Sequence, residues 1–165
     1  MKTATYISIS FIIFLTCFFS TIESYAQSGV EGHGNANAYE MAAGIRGGFG
    51  IGLTYKLALG ENKSSYAEGI GYFYNDAVSI KALYEKTFTT SVDGLRWYVG
   101  AGPSVGIGST AHLGASAIAG IEFNFSDIPF NISLDYMPTF RILKKNALKL
   151  FDAEVGGLSI RYVIR

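Results

Sequence analysis

The feature that most constrains this chain is a sustained alternation of apolar and polar residues with a period of two. The clearest case runs from Phe130 to Ile142, where every second residue is apolar and most of the residues between are polar. This period places the two kinds of side chain on opposite faces of a β-strand. Leu113 to Phe125 repeat the pattern, and the turn-forming residues 126–129 connect the two segments. Together they predict a β-hairpin whose arms are longer than is usual in globular proteins.

The same alternation, with more interruptions, extends over most of the chain from residue 39 onward. It predicts eight strands, in the segments 39–48, 51–58, 66–74, 78–85, 95–106, 113–125, 130–142 and 157–165. The pattern does not assign the lumen-facing and outward-facing residues of the third segment. If Glu68 faces inward, the outward residues are Ala67, Gly69, Gly71 and Phe73. An even number of strands can close without leaving an unpaired edge. We therefore predict an all-β fold, an eight-stranded antiparallel up-and-down transmembrane β-barrel.

Soluble and membrane barrels both alternate, so the side that carries the charges decides between them. Charged residues make up 16% of the chain, against about 25% in an average globular domain. They stand singly among glycines and small residues, unlike the dense charged covering of a soluble surface. We therefore expect the apolar face to meet lipid and the polar face to line the lumen. A secreted, soluble lipocalin-like binding barrel, with the two faces reversed, is an alternative.

The expected lumen contains charges of both signs, which must pair because an isolated charge in a water-poor interior is costly. An eight-stranded barrel is just wide enough for side chains to fill it. The predicted lumen charge network consists of Arg46, Lys56, Glu68, Lys81, Glu85, Arg96, Glu122, Asp135, Arg141 and Arg161. We interpret this network as a structural plug. A narrow channel or porin for ions, protons or small solutes is the alternative.

The apolar face carries aromatic residues toward the ends of its segments. Aromatic rings prefer the headgroup level of a bilayer, where they form the girdles of membrane barrels. The predicted girdle residues are Tyr39, Trp97, Phe123, Phe125, Phe130, Phe140 and Tyr162. We expect these residues to mark the two surfaces of the membrane.

The first residues have the layout of a secretory signal peptide. Lys2 supplies the positive charge, Ile7 to Phe19 form an apolar run, and Ser24-Tyr25-Ala26 puts small residues at the −3 and −1 positions. We predict export through the Sec pathway with cleavage after Ala26, a flexible segment over 27–38 and the barrel over 39–165. An uncleaved membrane anchor is the alternative, although the run is shorter than the ~20 residues that a spanning helix needs. Cleavage would also remove Cys17, the single cysteine.

The sequence contains few residues that indicate catalysis or cofactor binding. Formal net charge is zero, so nucleic acid is not an expected partner. The two histidines, His33 and His112, lack neighbouring metal ligands, and we expect neither a metal nor another cofactor. A Ser/His/Asp set can be assembled from Ser104, His112 and Asp152, but no local motif supports it. We therefore expect no enzymatic activity.

The connections at the end opposite residue 39 are short, which leaves little chain for a large adhesive or catalytic surface. Only the connection from Leu143 to Asp152 is appreciable, and it contains Lys144, Lys145 and Lys149. Its simplest interpretation is a solvated tip. Contact between these lysines and the phosphates of lipopolysaccharide is a further hypothesis.

Several short blocks resemble the small outer-membrane β-barrel proteins of the Bacteroidetes, porin-family relatives of the OmpX and OmpA-type eight-stranded barrels. These blocks are Gly44–Gly48, Gly52–Lys56, Trp97–Gly102, Gly120–Phe123, Asp127–Tyr136 and Gly156–Tyr162. The resemblance implies a Gram-negative outer membrane, insertion by the barrel-assembly machinery, and lipids and lipopolysaccharide as surroundings. It implies no single shared activity. The chain departs from the family at its end, where Arg165 replaces the usual aromatic residue.

From these features we expect an integral outer-membrane β-barrel protein, acting as a monomer with a structural or surface-interaction role in the cell envelope. The narrow channel and the secreted lipocalin-like barrel remain the alternatives.

Overall fold

The computed structural model describes residues 38–48, 50–109, 111–144 and 151–165. The predicted signal peptide (1–26), residues 27–37 of the following segment, and the loop lysines Lys145 and Lys149 lie outside the described residues. The predictions made for them therefore stay predictions. None of the described residues belongs to a helix long and apolar enough to cross a bilayer.

The described chain forms a closed barrel in which each strand pairs with its neighbours in sequence. All neighbours are antiparallel, and β1 pairs with β8 to close the ring. The strands are β1 (Met41–Gly47), β2 (Ile51–Leu59), β3 (Ser65–Phe73), β4 (Ala77–Thr89), β5 (Leu95–Gly108), β6 (His112–Asn124), β7 (Phe130–Lys144) and β8 (Phe151–Ile164). This confirms the predicted all-β, eight-stranded antiparallel barrel.

Strand β8 begins at Phe151, earlier than the alternation predicts. Opposite β7 the pairing shifts register, from Asp135 with Gly157 to Met137 with Glu154. The shift inserts an extra residue into β8, and Gly156 adopts a φ of +74° there. A bulge of this kind breaks the period of two. The sequence pattern therefore misses the part of β8 that lies before it.

Along the strands, alternate side chains face the lumen and the outside. The large apolar side chains face outward, and Ile51, Ile107 and Ile45 are 76%, 64% and 61% exposed. Most of the charged and hydroxyl-bearing strand residues are buried instead. The barrel is therefore inverted relative to a soluble one, which keeps its apolar side chains inside.

The structure assigns the lumen-facing and outward-facing residues of β3, which the sequence pattern could not. Glu68 is buried together with Tyr66, Ile70 and Tyr72, whereas Phe73 is 54% exposed. Ile70 and Tyr72 pack in a small apolar cluster within the lumen, with Leu83, Tyr98, Ile118 and Met137. The lumen therefore has an apolar part beside its charges.

Gly157 makes room for one of the buried arginines. A Cβ at this position would collide with the guanidinium of Arg46. That guanidinium cannot easily move, because it is fully buried and bound to Asp135, Tyr72 and Ser159. The absent side chain of Gly157 is thus part of the packing of the lumen.

Gly157→Ala should lower the free energy of unfolding by about 1–3 kcal/mol, since it overpacks the lumen against a pinned side chain. Gly47→Ala is the matched control, because a Cβ there meets no heavy atom within 4 Å. Denaturant titration of both variants measures the difference. Equal effects at the two positions would contradict this account of Gly157.

Candidate functional site in the barrel lumen

The structure places the predicted lumen charges inside the barrel, and all eight strands contribute to them. All are buried except Arg141, which is half-buried. The buried members are Arg46 (β1), Lys56 (β2), Glu68 (β3), Lys81 and Glu85 (β4), Arg96 (β5), Glu122 (β6), Asp135 (β7) and Arg161 (β8). The interior of this barrel is therefore an ionic core.

Lys56 bridges two carboxylates of the network. Its Nζ lies 2.7 Å from Glu85 Oε2 and 3.2 Å from Glu122 Oε2. The same ammonium stands 4.2 Å from the ring centroid of Tyr98 and 5.1 Å from that of Tyr66. Aromatic faces stabilise a cation that has been removed from water. Lys56 thus exchanges its hydration shell for two anions and two rings.

Arg161 donates hydrogen bonds to four side chains. Its guanidinium donates to Glu68 Oε1 at 2.5 Å, to Ser133 Oγ at 2.9 Å, and at 3.1 Å to both Thr54 Oγ1 and Asn131 Oδ1. These partners come from β2, β3 and β7. A buried guanidinium is tolerated when its donors are satisfied in this way. Arg161 therefore links distant strands across the lumen.

Arg96 and Tyr39 both contact Glu122. Arg96 Nη2 lies 2.7 Å from Glu122 Oε1, and the hydroxyl of Tyr39 donates to Glu122 Oε2 at 3.1 Å. The prediction that Tyr39 belongs to the aromatic girdle is therefore wrong, since this side chain is 0% exposed and lies inside the barrel. Strand β1 begins only at Met41, so the alternation does not extend back to residue 39.

The other predicted girdle residues lie on the outer side. Phe123, Phe130, Phe140 and Tyr162 are 37%, 41%, 50% and 53% exposed, whereas Trp97 and Phe125 are half-buried against neighbouring rings. Trp97 stacks on Phe88 with the centroids 4.2 Å apart, a partner that the sequence pattern did not single out. Phe125 meets Phe123, and Phe130 meets Tyr162, edge to face. Except for Phe140, these rings lie near the β4–β5 and β6–β7 turns.

Arg46 and Asp135 form a second ionic group. The guanidinium binds both carboxylate oxygens of Asp135 and also donates to Ser159 Oγ at 3.1 Å. The hydroxyl of Tyr98 donates to Asp135 Oδ2 at 2.9 Å. A bidentate arginine–carboxylate pair is strong and directional. This pair therefore connects β1 to β7 across the lumen.

A third group consists mainly of hydroxyl-bearing side chains. Lys81 Nζ donates to Thr139 Oγ1 at 3.0 Å, and Thr139 Oγ1 lies 2.8 Å from Ser116 Oγ. Ser104 Oγ lies 3.0 Å from His112 Nε2. The structure thus brings together two members of the Ser/His/Asp set, while the side chain of Asp152 lies outside the described residues.

This Ser104–His112 contact does not build a recognisable acyl-transfer site. Ser104 is 1% exposed and stands in the middle of a strand paired on both sides. Backbone N–H groups committed to such ladders cannot serve as an oxyanion hole. In the described part of the chain, no group of three or more His, Cys, Asp or Glu side chains is placed to hold a metal ion.

The terminal residue Arg165 has a structural contact. Its guanidinium donates to the carbonyl of Phe125 at 2.6 Å and approaches that of Ser126 at 3.5 Å. Both carbonyls belong to the connection between β6 and β7. Arg165 therefore ties the end of β8 to a neighbouring turn.

The uncharged partners of the network were missed as site residues by the sequence analysis. They are Thr54, Tyr66, Tyr72, Tyr98, Asn131, Ser133, Thr139 and Ser159. All occupy inward positions of strands, so the alternation could have found them once the charged positions were identified as inward. The chain matches no protein-family model, none of the curated proteins and no solved structure. The resemblance to Bacteroidetes barrels accordingly stays a prediction.

Asp135→Asn should lower the free energy of unfolding by about 3–5 kcal/mol, because it leaves the buried guanidinium of Arg46 without its counter-charge. The double variant Arg46→Met/Asp135→Leu should recover most of this loss, since both charges are then removed. Equilibrium denaturation of the folded barrel measures both values. Should the double variant be no more stable than the single one, the pair is not the source of the effect.

Proposed function

We propose that this chain is an integral outer-membrane β-barrel protein with a structural or surface-interaction role and an ion-filled lumen. The observation that carries the proposal is the inverted distribution of side chains. The lumen contains the charges, and the outer wall presents large apolar residues. Water would solvate the opposite arrangement, whereas hydrocarbon solvates this one.

The outer wall is too apolar for an exposed soluble surface. Soluble monomers seldom expose contiguous apolar patches larger than a few hundred Å². Here the outward apolar side chains follow one another from strand to strand, as in the paired row Ile121, Leu134 and Leu158, which are 50%, 55% and 51% exposed. A secreted lipocalin-like barrel would need an apolar interior for its ligand, and this lumen is largely ionic.

Closure and strand length also support a membrane location. A spanning β-strand needs about 9–11 residues when it is tilted. Strands β4 to β8 contain 13–15 residues, and β2 and β3 contain 9 each. The ladder is closed, with every strand paired to two neighbours, and closed sheets are the ones that exist in lipid.

The remaining parts of the proposal follow from the sequence. They are export by way of the N-terminal signal, insertion by the barrel-assembly machinery, and a monomer in contact with outer-membrane lipids and lipopolysaccharide. The resemblance to Bacteroidetes barrels supports these parts. No catalytic activity, cofactor or nucleic-acid partner is proposed.

Leu134→Arg should destabilise the barrel in phospholipid vesicles by about 2–4 kcal/mol, the usual effect of an arginine near the midplane of a membrane barrel. Val92→Arg is the control, because Val92 is similarly exposed at 54% but lies in the β4–β5 turn. Denaturant titration in vesicles measures both variants.

Cell fractionation and a gel that compares boiled with unboiled samples complete this test. The protein should be found in the outer-membrane fraction and should migrate differently when unboiled. The proposal would be contradicted if the protein stayed soluble without detergent and if Leu134→Arg destabilised it no more than Val92→Arg.

We further propose that the lumen is a plug, because its charges are almost completely buried and bound to one another. The purified barrel should therefore show no stepwise conductance in planar bilayers. The variant Lys56→Met, which removes the bridge between Glu85 and Glu122, tests whether this packing closes the lumen. Discrete openings of the unaltered protein would favour the narrow channel instead.

A further inference from the structure

Two carboxyl groups meet within the ionic core of the lumen. Glu68 pairs with Leu83 across β3 and β4, and Glu85 pairs with Tyr66, so the two glutamates are diagonal neighbours on the inner face. Glu68 is 1% exposed and Glu85 is 0% exposed. Diagonal neighbours on one face of a sheet lie within reach of each other when their side chains are long. Two acidic side chains are thus buried side by side on the inner face of β3 and β4.

Three of the four oxygens of these glutamates accept no hydrogen bond from the other described residues. Glu68 Oε1 accepts hydrogen bonds from Thr54 and Arg161, whereas Glu68 Oε2 accepts none. Glu85 Oε2 forms an ion pair with Lys56 at 2.7 Å, but neither Oε2 nor Oε1 of Glu85 accepts a hydrogen bond. Buried carboxylate oxygens normally have donors, and an exception needs an explanation. Two adjacent carboxylates cannot both stay ionised unless something positive lies between them.

The cations that contact the pair also bind other groups. Lys56 is shared between Glu85 and Glu122, and Arg96 contacts Glu122. The guanidinium of Arg161 is used on Glu68 Oε1 and on three neutral oxygens. The charged and titratable groups that face the pair are Lys56 on β2, Tyr66 on β3, Arg96 and Tyr98 on β5, Glu122 on β6 and Arg161 on β8.

We propose that Glu68 and Glu85 form a proton-binding site, in which one proton is held between Glu68 Oε2 and Glu85 Oε1. The proton resides on Glu85, because Arg161 and Thr54 hold Glu68 in its ionised form. In the part of the chain that the structure describes, Glu85 forms an ion pair with Lys56 alone and shares this cation with Glu122. Its O–H then donates to Glu68 Oε2, which satisfies the oxygen that otherwise lacks a donor. The lumen thus contains a sealed acid–carboxylate pair.

Infrared spectroscopy of the folded, full-length barrel in detergent tests the site directly, whether or not the barrel spans a membrane. At neutral pH the spectrum should contain the C=O stretch of a protonated carboxylic acid, and this band should shift in D₂O. Glu85→Gln should abolish the band. Glu61→Gln, in the exposed β2–β3 turn, should leave it unchanged.

Stability gives a second measurement that does not depend on detecting the band. The amide of Glu85→Gln can donate to Glu68 Oε2 in place of the proton, so the denaturation midpoint should change little. Glu68→Gln removes the carboxylate that binds Arg161 and should lower the midpoint clearly. Equal losses in the two variants would contradict the assignment of the proton to Glu85.

Three outcomes of these measurements would overturn the proposal. The first is a folded barrel without the acid band at neutral pH. The second is a band that persists in Glu85→Gln, because the acid is then another residue. The third is an absent band together with a denaturation midpoint that rises when sodium chloride is added but not when choline chloride is added. This result would identify a metal cation between the carboxylates.

Discussion

The pairing of β1 with β8 is the constraint on which the rest of this structure depends. The register from Met41 with Ile164 to Gly47 with Leu158 closes the sheet. Closure supplies every strand with two partners, so most of the backbone hydrogen bonds of the described strands are made within the sheet. It also encloses a lumen. Once this ring exists, each side chain is committed to the lumen or to the outer surface.

The ionic core follows from that commitment. A lumen of this width has no room for bulk water around many long side chains, so charges placed there must find partners within reach. Arg161 meets Glu68, and Arg46 meets Asp135, over separations of 93 and 89 residues in the chain. A slip of one residue between strands would move such side chains to the opposite face. The network therefore helps to specify the register that closure requires.

The proposed functions rest on different parts of this arrangement. The membrane location depends on the outer wall, where apolar residues are exposed, and the plug depends on how completely the lumen charges are buried. The proton site depends on a local defect in the network, the oxygens of Glu68 and Glu85 that accept no hydrogen bond. The cluster of hydroxyl-bearing side chains around Ser104 and His112 adds polar contacts to the lumen. The backbone N–H groups of this strand are used in the sheet, so they are not free to act as the donors that acyl transfer needs.

The alternation of residues was enough to predict the number of strands and the side on which almost every residue lies, because a period of two is a local property of extended chain. It also identified the charges that reach the lumen. The closed barrel, in contrast, sets which charges pair, since the partners come from strands far apart in sequence. It likewise moved Tyr39 into the lumen, extended β8 back beyond the bulge at Gly156, and brought Glu68 against Glu85. These features depend on strand ends and on contacts across the closed lumen, which alternation alone does not encode.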